Sequence, residues 1–146
     1  MRKMLRVLLL PGVLLLLLLT ACNTETTYFN YTFKGEGETW SGLYKQEASQ
    51  KLVNIGNKVS SENHKRYNFA LRYNGDQSDL GTIKEMKYTF KAKHSGGSQT
   101  IEGPVEVAML KMSAGGSGSV EKEDSVIKVT VEWDGQTEEF ELKNEK

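Results

Sequence analysis

From Tyr28 onward, apolar and polar residues trade places at every second position in one segment after another, the period of a half-buried β-strand rather than of a helix. Phe29, Tyr31 and Phe33 share one face of Tyr28–Lys34, and Trp40 and Tyr44 share one in Thr39–Lys45. Tyr67, Phe69, Leu71 and Tyr73 do so in Arg66–Tyr73, and Met86, Tyr88, Phe90 and Ala92 alternate with Lys87, Thr89, Lys91 and Lys93. The last pair is the clearest. Ile127, Val129, Val131 and Trp133 lead into Asp134-Gly135, and Phe140 and Leu142 follow; Asp-Gly between two alternating runs is a strong hairpin signal.

Further strands are expected over Lys51–Ile55 and over Val105–Met112, with Pro104 at the start of the latter, where a missing N–H is tolerated. Asn74-Gly75-Asp76 and Ser95-Gly96-Gly97-Ser98 read as turns, and Ser113–Asp124 as a loop. Gln46–Asn54 has a short helix as its rival reading. About eight short strands with few helical segments predict an all-β antiparallel domain, either a sandwich or a small barrel. An immunoglobulin-like β-sandwich is the favoured form, on strand count and patterning alone, since the core cysteine pair of that fold is missing. Trp40 and Trp133 are expected as buried anchors, and Tyr28, Tyr44 and Tyr73 as partly exposed.

Residues 1–21 follow different rules. Arg2, Lys3 and Arg6 precede an apolar run from Val7 to Leu19, the layout of an export signal. A membrane-spanning helix needs roughly 20 apolar residues, and this run is shorter and holds Pro11-Gly12. The run ends in Leu19-Thr20-Ala21-Cys22, which resembles the lipobox of bacterial lipoproteins at every position. The resemblance implies cleavage between Ala21 and Cys22, diacylglycerol on the Cys22 sulfur and, in many bacteria, a further acyl chain such as palmitate on the new amino terminus. Cys22 is the single cysteine and has no intramolecular disulfide partner. Three parts are therefore expected: a signal peptide over 1–21, a short tether over 22–27, and one domain over 28–146. Glu38–Tyr44 and Val129–Gly135 are similar to segments of small, largely uncharacterised lipoproteins from Bacillus-type Gram-positive bacteria, a likeness that implies location and fold but no activity.

Charge narrows the partners. The chain has 19 basic and 19 acidic residues, and loss of the leader removes three of the basic ones. That balance does not suggest a nucleic-acid binder. The charges are unevenly placed: ten basic residues stand against five acidic ones from Lys45 to Lys93, and nine acidic against four basic from Glu121 on. Lys87, Lys91 and Lys93 are expected to form a basic stripe able to meet anionic headgroups or wall polymer.

Catalytic and metal-binding patterns are scarce. His64 and His94 sit in polar, turn-like company, and the sequence has no His-x-x-x-His, Cys-x-x-Cys or EF-hand spacing. Glu36 with Glu38 forms a glycine-flanked pair that suits at most a weak calcium loop. Glu138 with Glu139 is a second carboxylate pair, and Glu139 and Glu141 take the outer face of the last hairpin, where charge keeps a sheet edge soluble. No cofactor, no metal and no enzymatic activity are expected. The reading is a lipid-anchored binding module on the extracytoplasmic face of the cell membrane, or of the outer membrane in a Gram-negative host, with an envelope protein or polymer as partner. The alternatives are an envelope carbohydrate-acting enzyme that uses carboxylates, and an accessory or immunity-type envelope protein.

Overall fold

The computed structural model describes residues 23–145; the signal peptide, Ala21 and Cys22 lie outside them. Nine strands follow in chain order: β1 (Asn23–Tyr28), β2 (Tyr31–Glu36), β3 (Trp40–Ile55), β4 (Lys58–Tyr73), β5 (Glu85–Lys91), β6 (Gly96–Glu102), β7 (Lys111–Gly116), β8 (Ile127–Trp133) and β9 (Gln136–Asn144). Two 3-10 turns, Gln77–Thr82 and Val107–Met109, interrupt them. The chain divides into two compact units. The larger holds Thr27–Gln50 and everything from Asn63 on; the smaller holds 23–26 with Lys51–Glu62.

In the larger unit the strands form one antiparallel sheet in the order β6-β5-β8-β9-β2-β3-β4-β7, rolled into a nearly closed, barrel-like form. The all-β antiparallel architecture is as expected. Of the two closures open to such a chain, the single continuous sheet describes the molecule, and an immunoglobulin-like pair of sheets does not. The reason lies between β9 and β2. Phe33 pairs with Asn144 and Lys34 with Lys143, so the last hairpin joins the first strands instead of packing across from them. At this join Gly35 is required, because a Cβ there would fall on the Glu141 carbonyl of the neighbouring backbone.

Alternation fills the interior. Phe33, Tyr44, Phe69, Tyr88, Phe90, Val129, Val131 and Leu142 belong to one fully buried cluster. Phe69 on β4 stacks on Phe90 of β5 at 4.8 Å between ring centroids, although these strands are far apart in sheet order. Tyr44 meets Phe90 at 5.6 Å, Tyr67 at 5.3 Å and Phe33 at 5.9 Å. Trp40 is fully buried and meets Trp133 edge-on, and Trp133 is only partly buried, packed against the core rather than enclosed in it. Tyr44, expected near the surface, is buried too.

Local readings fail where glycine or a wrapped turn breaks the period. Gln46–Asn54 is strand throughout, not helix, because Tyr44, Gln46 and Ala48 point inward while Lys45 and Glu47 point out. Gly96–Glu102 is strand β6; the true turn is Ala92–Ser95, closed by the Ser95 carbonyl accepting from the Ala92 amide. Val105–Met112 holds a 3-10 turn that buries Val105 and Leu110, and the strand begins only at Lys111 and continues through the expected loop to Gly116. The stretch expected as a tether is β1, paired with β3. Asp134-Gly135 forms the foreseen hairpin turn, both residues at positive φ.

Turn residues are pinned by side chains as well. The Glu138 carboxylate accepts the Thr39 amide at 3.0 Å, which fastens the β2–β3 turn to the last hairpin. Gly35→Ala should destabilise the domain by more than about 2 kcal/mol, since the obstacle is backbone that cannot rotate away. Gly116→Ala, with open space at its Cβ position, should change stability by less than about 0.5 kcal/mol. Urea unfolding of the two variants checks both.

Candidate functional site

The same alternation that buries Tyr44 and Phe69 presents their neighbours to solvent. Lys45 and Glu47 leave β3, and His64 and Arg66 leave β4, on the exposed face. Register brings Thr32 of β2 opposite Lys45, and Gly115 and Gly116 of β7 opposite Arg66 and Lys65. These residues line a solvent-open cleft of about 760 Å³, which Tyr28 and Tyr31 also flank. The glycines carry no side chain into it, so its β7 wall is bare backbone. Lys45 and Arg66 share the exposed face with one carboxylate, Glu47, and neither is ion-paired among the described residues, while Lys65, of opposite parity on β4, turns its ammonium to backbone carbonyls. The cleft is positive.

Its wall is held by a buried polar network. Gln46 donates to the Phe29 carbonyl at 3.1 Å and to the Glu121 carbonyl at 3.0 Å, and accepts the Glu121 amide at 2.8 Å. The Glu121 side chain, 1% exposed, accepts the His94 amide at 2.6 Å and the Ser95 hydroxyl at 3.1 Å through Oε1. Its Oε2 has no hydrogen-bond partner among the described groups. Lys65 donates to the carbonyls of His94 and Ser119, both at 2.8 Å, so one lysine ties together the loop before β6 and the segment leading to Glu121. The Tyr44 hydroxyl closes the ring on Ser95 Oγ at 2.9 Å. Burial, partly offset by that hydrogen bond and reinforced by the Glu121 charge, pushes the Tyr44 phenol up to about 12. Burial alone pushes Tyr88 to about 12.

The expected basic stripe is placed differently. Lys87 and Lys91 are exposed on β5, with Glu132 of β8 directly beside Lys87 and Lys128 beside Lys91. Lys93 lies beyond the end of β5. Lys87 thus has an acidic neighbour and Lys91 a basic one. Glu36 ends β2 and Glu38 lies in the following turn, both exposed. Among the described residues no group of three His, Cys, Asp or Glu side chains is arranged to hold a metal. His64 lines the cleft from a strand, not a turn, and His94 contributes its backbone to the network.

A second hollow, about 470 Å³, gathers Glu85, Glu102, Glu132 and Asp134 around Trp133 and Lys87. Asp134 is already engaged there, accepting the amides of Lys84 and Glu85. The cleft itself combines exposed cations, hydroxyls and aromatic flanks.

No protein-family model matches the chain, and no curated protein or solved structure matches it significantly.

An unfolded tyrosine ionises near 10 and these two, when folded, near 12, so the folded state holds its protons longer. Their contribution to stability is complete below pH 10 and is lost as pH rises to about 12. Tyr44→Phe should flatten that alkaline loss, measured by urea unfolding across the window.

Proposed function

We propose that the chain is a lipid-anchored binding module on the outer side of a bacterial membrane, taking an anionic envelope polymer into the cleft at Lys45 and Arg66. The observation that carries the anchoring is Leu19-Thr20-Ala21-Cys22, placed directly after a charged and then apolar leader. Each buried methylene of an acyl chain contributes about 0.8 kcal/mol; one chain holds marginally and two hold lastingly. A diacylglyceryl Cys22 is thus a stable anchor without any spanning helix.

The binding half of the reading is supported by the charge of the cleft and by its rigidity. Lys65 is fixed by two carbonyls, and Gln46 by three hydrogen bonds to backbone, so the wall is ordered before a ligand arrives. An anionic polymer repeats its charge along its length and matches a groove that crosses several strands. Such binding weakens steeply with salt, because the attraction is screened within about 8 Å at physiological ionic strength.

Two experiments address the two halves. Cys22→Ser should leave the protein unprocessed or release it into the medium; unchanged, detergent-dependent membrane association of that variant overturns the anchor. The wild-type domain should bind poly(glycerol phosphate) at low salt, and Lys45→Ser with Arg66→Ser should weaken it by about five- to thirtyfold, at roughly 0.5–1 kcal/mol per exposed contact. Equal binding by the double variant would remove the cleft from consideration.

A further inference from the structure

The smaller unit carries exposed apolar side chains at one end. It contains the end of the β3–β4 hairpin, where Gly56-Asn57 turns the chain between Ile55 and Lys58. Both strands are 16 residues long, well beyond the usual five or six. Ile55 is 67% exposed and Val59 is 69% exposed, among the most exposed large apolar side chains of the described residues. Of the charged side chains of this unit, Lys58 adjoins the apolar pair, while Lys51 and Glu62 stand opposite each other four residues up the hairpin, with Glu25 at about the same level.

The same unit holds the start of β1. Direction follows from the pairings. β2 runs antiparallel to β3 with Tyr31 opposite Gln46, and the Phe29 amide then donates to the Ala48 carbonyl. Stepping back along the chain from Phe29 therefore means stepping forward along β3, toward Ile55. β1, paired with β3, brings Asn23 to the turn end of the hairpin. The residue before Asn23 is Cys22.

We infer that the Ile55–Val59 hairpin tip is a second membrane contact, dipping into the bilayer interface beside the lipid on Cys22. This rests on the anchor reading above. The occupant of the apolar tip is the bilayer because the acylated cysteine is one residue from a strand that ends there, leaving no slack to carry the tip away. A two-residue turn sets Ile55 opposite Lys58, so Ile55 and Val59 leave the hairpin on opposite faces. A face lying flat would immerse only one of them; a tip entering end-on immerses both. Lys58, opposite Ile55, then reaches headgroup level, where lysine is attracted to anionic lipid.

The test uses the full lipidated protein in vesicles of phosphatidylglycerol and phosphatidylethanolamine. With Cys22 blocked by lipid, Val59→Cys offers a single free thiol for an environment-sensitive fluorophore, and Val107→Cys, half-exposed in the larger unit, serves as control. Flotation with the vesicles reports the anchor separately from the label. The expected result is flotation of both, with blue-shifted emission and several-fold stronger quenching by lipid-borne nitroxide at Val59 alone. Flotation with both labels in water overturns the tip contact and leaves the anchor standing. Equal burial of both labels also overturns it, since the contact is then not the tip's. Failure to float overturns the anchor and with it this inference.

Discussion

The structure depends on aromatic contact across a rolled sheet. Phe69 and Phe90 lie on strands separated by most of the sheet order, yet their rings stack, and Tyr44, Tyr67 and Tyr88 pack around them. Such ring pairs contribute about 0.5–1.5 kcal/mol beyond the area they bury. They also set the curvature: a flatter sheet would pull β4 from β5 and leave both faces wet. Hydrogen bonds span the same gap, as the Tyr88 hydroxyl reaches the Met109 carbonyl ahead of β7 and Tyr44 reaches Ser95 ahead of β6. The edges β6 and β7 thereby face each other's flanks, which limits their use as templates for another chain.

Within this apolar interior the Gln46–Glu121 pair is the exception. A buried amide and carboxylate cost several kcal/mol unless their hydrogen bonds are made. Most are made here, to backbone groups of three separate segments, so the pair specifies how the loops at Phe29, His94 and Glu121 are stacked. The positive cleft inherits that order, because Gln46 and Lys65 belong both to its lining and to the network beneath it.

Period-two alternation was legible wherever one face of a strand is buried and the other wet, as in Ile127–Trp133 and its Asp134-Gly135 turn. It failed at Gly96-Gly97, where missing side chains erase the pattern although the backbone pairs fully with β5. It failed again at Val105 and Leu110, both buried through a turn whose spacing is neither two nor 3.6. The roll into one sheet was not readable either, since Phe33 and Asn144 are joined by tertiary pairing alone. The cleft was hidden for the same reason: Lys45 and Arg66 are distant in sequence and become neighbours only through their strands. Lys87, Lys91 and Lys93 offered a better spacing, but the carboxylate beside Lys87 comes from β8. Gln46 held an inward position between Tyr44 and Ala48, and only its polarity argued against burial.

The strand that begins at Asn23 has a mechanical consequence. Its bonds to β3 run across the strand direction, so a pull on the chain at Asn23, directed past the hairpin turn, loads the whole β1 ladder in shear. Bonds in shear break together, whereas bonds peeled from one end break singly. A domain held at that point would resist tension through β3, a strand built into its interior by Trp40 and Tyr44, rather than fray from its terminus.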